Sequence, residues 1–137
     1  MVFQDALAAL SPYHTVERQL TDSYRRRTGA GRQQARKRAV EMLARVGIPD
    51  PVRRVGEYPH EFSGGMRQRV MIAMAMANDP DVIVADEPTT ALDVTIQAQV
   101  LDALRTAREA TGAAIVLITH DLSVVAGFAD RIAVMFG

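Results

Sequence analysis

The chain has 137 residues, no cysteine, 16 basic against 16 acidic side chains and 48% hydrophobic residues, a composition that suits one globular domain of ordinary size. The missing cysteine excludes disulfides, thiolate chemistry and cysteine-bound zinc. The longest apolar run, Val70 to Ala77, stops well short of the roughly 18 to 20 residues of a membrane span.

The neutral total hides an asymmetry. Up to residue 69 there are 13 Lys+Arg against 7 Asp+Glu, and from residue 70 there are 3 against 9, which suits either an anionic partner for the front half or two regions with different neighbours. No basic stretch followed by an apolar core and a small-residue cleavage site opens the chain, so the cytoplasm is the expected location.

Residues 1 to 30 carry weak periodicity, with turn signals at Ser11-Pro12 and Gly29-Ala30-Gly31, and read as loop and short helix. From Gln33 to Val46, Ala35, Ala39, Met42, Leu43 and Val46 recur at helical spacing, with Arg36, Lys37, Arg38 and Arg45 on the other faces. Gly47 suits a left-handed cap, and Pro49 and Pro51 stop the helix. After a polar, turn-rich stretch, Ser63 caps a helix from about Met66 to Asn78 whose second half is apolar all round and therefore buried. Asp81 to Asp86 (DVIVAD) reads as a buried parallel strand, Thr95 to Ala110 as a surface helix closed by Gly112, and Ala114 to Thr119 (AIVLIT) as a second buried strand. Arg131 to Phe136 (RIAVMF) is expected to be a third. Strand, helix, strand predicts a parallel crossover and an α/β layer.

Three places hold residues suited to chemistry. The first strand ends in Asp86-Glu87, and the carboxyl end of a parallel strand is where open α/β sheets bind ligands. An aspartate there can hold Mg²⁺ through water, and the adjacent glutamate can deprotonate an attacking water. Alone, such a pair reads equally as a solvated turn. The second strand ends in Thr119-His120-Asp121, which sends His120 to the same edge; singly it reads as an ordinary loop histidine, and His14 and His60 have no comparable placement. Ser63-Gly64-Gly65 before a helix offers close backbone approach, free N–H groups and a hydroxyl to an anion, with Arg67 and Arg69 nearby. By itself it is a turn with a capping serine.

Taken together and in this order, FSGGMRQRV, DVIVADEPTTALD and LITHDL resemble the signature loop, the Walker B segment with its D-loop, and the switch-histidine segment of ATP-binding-cassette proteins. HEFSGGMRQRVMIAMA and ADEPTTALDVTIQAQVLDAL are similar, more narrowly, to the ATPase subunits of bacterial oligopeptide, dipeptide and nickel importers, and VFQDALAALSP resembles the start of their helical subdomain. The resemblance implies an α/β fold: part of a P-loop NTPase parallel sheet core with a helical subdomain. Residues 1–79 would be the Q-loop and helical subdomain ending in the signature helix, and residues 80–137 a partial ATPase core.

It also implies roles. ATP and Mg²⁺ would be bound between two subunits, homo- or heterodimeric, closing head to tail. Ser63, Gly64, Gly65 and Met66 would face the nucleotide held by the other subunit, and Asp93 would couple the two sites. Asp86 would support Mg²⁺, Glu87 would be the general base, His120 would contact the γ-phosphate, and Gln4 would sense that phosphate and its metal. Membrane-spanning permease subunits would be direct partners and a solute-binding protein an indirect one. The chain would sit at the inner face of the cell membrane, powering uptake of peptides or similar small solutes.

Three departures from the family pattern stand out. Phe62 and Met66 replace the first and last residues of LSGGQ, a variant that the importer subgroup carries. Ala6 stands where proline is usual. No Walker A loop, G-x-x-x-x-G-K-[ST], exists: Lys37, the only lysine, lies between Arg36 and Arg38. The expectation is a partial chain, inactive as an ATPase on its own. Its missing Walker A strand would belong next to the switch-histidine strand, leaving apolar edges exposed.

Two other classes of function share the motifs. One is a soluble ATP-binding-cassette protein acting on nucleic acid, disfavoured by the importer-like flanks; the basic segment Arg25 to Arg38 lacks interleaved aromatics beyond Tyr24 and reads as a solvated or partner-facing helix, with no nucleic acid expected. The other is a non-catalytic module that offers its signature face to a complete partner.

Overall fold

The computed structural model describes residues 1–135, the side chain of Leu7 excepted. A short helix α1 (Ala6–Ala9) is followed by α2 (Val16–Thr28). The 13-residue α2 corrects the reading of this region as loop with a short helix. Its sequence is nearly all polar, and only Val16, Leu20 and Thr21 are buried. Local chemistry and packing make the helix instead: the Thr15 hydroxyl accepts from the Arg18 N–H at 3.3 Å, and the buried face rests on α3 (Arg32–Arg45).

In α3 the residues at helical spacing, Ala35, Ala39, Met42 and Leu43, are the buried ones. Gly47 ends it at φ 74°, where the Gly47 N–H reaches the Ala44 carbonyl and the Ile48 N–H the Leu43 carbonyl, both at 3.0 Å. Leu43 and Ile48 are both buried, completing a left-handed cap with its apolar contact. A short helix α4 (Pro51–Arg54) and a 3₁₀ turn (Pro59–Glu61) lead to α5 (Gly64–Met76).

Helix α5 is the central element. Val70, Met71, Ile72, Ala73 and Met76 are all buried, as expected for a helix apolar on every face, and it packs against α6 (Val94–Thr111), α3, α1 and α2. One hydrophobic cluster runs from Val2 through Leu20, Leu43, Ile72 and Ile83 to Leu104. Each such side chain contributes roughly 1.5–3 kcal/mol relative to exposure.

Strand β1 (Val82–Asp86) pairs in parallel with β2 (Ala114–Ile118), Val82 opposite Ala114 and Asp86 opposite Ile118. On its other side β1 bonds Val2: the Val2 N–H reaches the Val84 carbonyl at 2.7 Å and the Asp86 N–H reaches the Val2 carbonyl at 2.9 Å. The opening residues thus belong to the same layer as the strands.

The strand readings need two corrections. β2 is not buried on both faces: Ile115 and Leu117 pack on the core, while Val116 and Ile118 are 49% and 47% exposed, because nothing among the described residues covers that face. Residues 131–135 form no strand, and Ile132, Val134 and Met135 are exposed; Phe136, the end of that predicted strand, lies outside the described residues. A strand needs a ladder partner, and among the described residues none lies along the free edge of β2. A short helix α7 (Leu122–Ala126) follows β2. Among the described residues no helix is long and apolar enough to cross a membrane.

Candidate functional site

Glu87 is the first residue beyond β1, and its N–H bonds the Ile118 carbonyl at 2.9 Å, extending the ladder by one step. Its φ of 44° lies in the left-handed region that a side-chain-bearing residue enters at a cost of roughly 1–2 kcal/mol. Such strain is typical of residues whose placement matters more than their comfort. The turn lifts the carboxylate above the strand ends, where three side chains meet it.

His120, two residues beyond β2, approaches Glu87 Oε1 through Nδ1 at 2.9 Å. A carboxylate only accepts, so Nδ1 carries the proton and donates, leaving Nε2 for another ligand. Gln4 Nε2 donates to Glu87 Oε2 at 3.2 Å, and the Thr90 hydroxyl donates to the same oxygen at 2.9 Å. Residues 4, 87 and 120, far apart in sequence, therefore share one carboxylate.

These bonds set the charge states. The hydrogen bond from His120, and then that from Thr90, hold the Glu87 carboxyl below its ordinary value. The same bond to Glu87, with the attraction of its charge, raises His120 above the ordinary imidazole value. Next to it, Asp121 is lowered by its hydrogen bond from the Ser123 hydroxyl, 2.6 Å long.

Asp86 ends β1 half-buried, and its carboxylate has no hydrogen bond or ion pair among the described residues. A hard cation such as Mg²⁺ is commonly held by one or two carboxylates together with waters and substrate phosphates, so a lone, unengaged carboxylate beside Glu87 fits one. Among the described residues there is no group of three or more His, Cys, Asp or Glu side chains that could hold a metal ion. For ATP the fit is partial. The cluster can meet a terminal phosphate, and the sequence holds no G-x-x-x-x-G-K-[ST] loop to cradle the remaining ones.

The Ser63-Gly64-Gly65 element is a separate place. Ser63 caps α5, its hydroxyl oxygen accepting from the Met66 N–H at 3.3 Å, while Ser63 and Gly64 stay exposed. Gly65 is buried, and a Cβ there would overlap the Ile96 Cγ2 methyl. The close approach that its lack of side chain permits is thus to α6 of the same chain. Met66 packs part-buried on the core. Asp93 is the N-cap of α6, accepting from the Ile96 N–H at 3.0 Å, which accounts for its carboxylate within this chain. Asp5 caps α1 by accepting from the Ala8 N–H at 3.2 Å, and Ala6 occupies the first helical position, where proline is equally at home.

Two contributors escaped the reading of the sequence. Thr90 was one of several polar residues in EPTTALD, and only the tight turn from Glu87, closed by the Thr90 N–H to Glu87 carbonyl bond at 3.2 Å, aims it back. Gln68 is a polar residue 3% exposed within α5; set between Arg67 and Arg69, it carried no signal of its burial.

The profile of the ABC transporter family matches residues 1–90. Over 136 residues the chain is 57% identical to the oligopeptide transport ATP-binding protein OppD of Mycobacterium tuberculosis, covering 98% of this chain and 22% of that protein. It is 54% identical to the dipeptide transport ATP-binding protein DppD of Bacillus subtilis, covering 99% of this chain and 41% of that protein. The chain thus spans well under half the length of these relatives. Its structure is similar, at TM-score 0.72 and 34% identity, to a dimeric post-hydrolysis state of the ATP-binding cassette MJ0796 bound to ADP and Pi, with 90% of this chain and 52% of that chain covered.

Proposed function

Because this chain belongs to the ABC transporter family and has the fold of part of its ATP-binding cassette, we propose that it is the portion of a peptide importer's ATPase subunit that activates the attacking water. The observation that carries the reading is the sharing of the Glu87 carboxylate by His120, Gln4 and Thr90 at the carboxyl end of a parallel sheet. Glu87 is the general base: its lowered pKa keeps it ionised, and the bond from His120 holds it in place until substrate arrives. When a γ-phosphate oxygen engages His120 through Nε2 and draws the imidazole off Oε1, the carboxylate becomes more basic, at the moment a water has to be deprotonated. Gln4 keeps Oε2 oriented and registers the phosphate. Mg²⁺, bound through Asp86, would neutralise developing charge on the phosphate oxygens.

Ser63 and Gly64, exposed at the first turn of α5, offer N–H groups and a hydroxyl to a phosphate presented by a second ATPase subunit, with Gly65 setting how closely α5 and α6 approach behind them. Closure of the two subunits on ATP, at the inner face of the membrane and in contact with permease subunits, is the output this arrangement serves. The basic segment supports a structural reading over a nucleic-acid one. Arg36 pairs with Glu17, Arg38 with Asp79, and Arg27 donates to the Asn78 carbonyl.

Without a phosphate loop the 137-residue chain alone releases negligible phosphate from ATP, and steady release abolished by Glu87→Gln would overturn this. The decisive experiment replaces the matching segment of the Bacillus subtilis dipeptide transport ATP-binding protein by this chain. The hybrid is expected to hydrolyse ATP, and Glu87→Gln in it to cut kcat by about 10²-fold or more. A folded hybrid whose rate is indifferent to Glu87 would sink the assignment.

A further inference from the structure

Gln68 sits one turn into α5, buried, and its side-chain amide leaves the helix to donate to the Gln4 carbonyl at 2.9 Å and toward the Phe3 carbonyl at 3.4 Å. Both partners only accept, so the nitrogen faces them, and Oε1 is left buried with no hydrogen-bond partner among the described residues. An unpartnered buried amide oxygen is a standing cost that an apolar side chain of the same length would not carry. That cost calls for a reason beyond packing.

The reason lies at the other end of the same residues. Val2 is bonded on both sides to β1, Phe3 and Gln4 are held by Gln68, and the side chain of Gln4 then stands 3.2 Å from Glu87 Oε2. Strand β1 alone fixes residue 2; the backbone of residues 3 and 4 gets its anchor from α5. We propose that Gln68 is a positioning residue, whose grip on the Phe3 and Gln4 carbonyls holds the Gln4 side chain against the Glu87 carboxylate. Ser63 and Gly64 lie about one helical turn before Gln68 on the same rigid element. A displacement of the exposed end of α5 is therefore carried through Gln68 to the Gln4 backbone, and from the Gln4 amide to Glu87. The significance for hydrolysis rests on the role given to Glu87 above; the linkage itself does not.

The test reads the Gln4 side-chain amide of the 137-residue chain by nuclear magnetic resonance at one fixed pH. In the native background Glu87→Gln is expected to move its resonances. Gln68→Met keeps length and burial but removes both donors. In this background Glu87→Gln should leave the Gln4 resonances where they are, while the β1 and β2 amides stay as in the native chain. A Gln4 amide that moves equally with Glu87→Gln in both backgrounds would overturn the proposal. Should the variant not fold, the native chain decides: Gln68 amide protons protected from exchange and close to the Gln4 backbone support it, and rapidly exchanging ones overturn it. Failure of the hybrid's ATPase would leave this readout untouched, so the two ideas fail separately.

Discussion

At the scale of single residues the site is a contest for one carboxylate, and the contest has a pH signature. His120 is raised, so its share of the pairing is complete below the ordinary imidazole value and is lost as pH rises through the raised one. Glu87 is lowered, so its share is complete above the ordinary carboxylate value and is lost as pH falls through the lowered one. The pair is therefore fully formed between about pH 4.5 and 6.5, the two ordinary values. A proton titration of His120 should give a midpoint above that of an unperturbed histidine, and Glu87→Gln should bring it back down; an unchanged midpoint would mean the contact is absent in solution. Asp86, Glu87 and His120 could be singled out in the sequence because each closes or follows a short apolar run that reads as a strand of a parallel layer. Their contact was not legible, since it depends on strand register and on the left-handed backbone at Glu87. Thr90 and Gln68 escaped for different reasons: Thr90 is aimed by the local turn from Glu87, and Gln68 bonds across the fold, which leaves no local periodicity.

At the scale of elements, α3, α5, α6, β1 and β2 announce themselves through spacing, caps and composition. Helix α2 does not, because three buried residues on a polar 13-residue helix are too few for an apolar stripe, and its stability comes from Thr15 and from docking. The strand predicted over residues 131–136 had the right side chains and, over the described residues, lacks the neighbour a strand requires. Residue patterns report burial well and pairing poorly. The contact between α5 and α6 gives a prediction with a change of sign. Gly65→Ala should destabilise by about 1–3 kcal/mol through overpacking against Ile96, less up to roughly 1 kcal/mol that alanine gains in a helix. In an Ile96→Ala background, where the methyl is gone, the same substitution should be neutral or stabilising. Urea unfolding of the four proteins measures both, and equal losses in the two backgrounds would place the glycine's importance elsewhere.

At the scale of the whole molecule, none of the described residues covers one face of the sheet. Val82, Val116 and Ile118 are each about half exposed and Ile132 and Val134 more so, and among the described residues β2 has a free edge. Exposed apolar strand edges drive association, so the isolated chain should self-associate as concentration rises, and Val116→Lys with Ile118→Glu should reduce the apparent mass seen by light scattering. A monomer at all concentrations would show that the face is adequately solvated. The layer has one more consequence, this time in the order of events during synthesis. Gln4 finds its carboxylate 83 positions downstream, which at typical rates of translation is a wait of roughly 4 to 17 seconds. His120 is made later still. The nascent chain can thus wind α2 and α3 early, while the corner around Glu87 stays unassembled until His120 has been added.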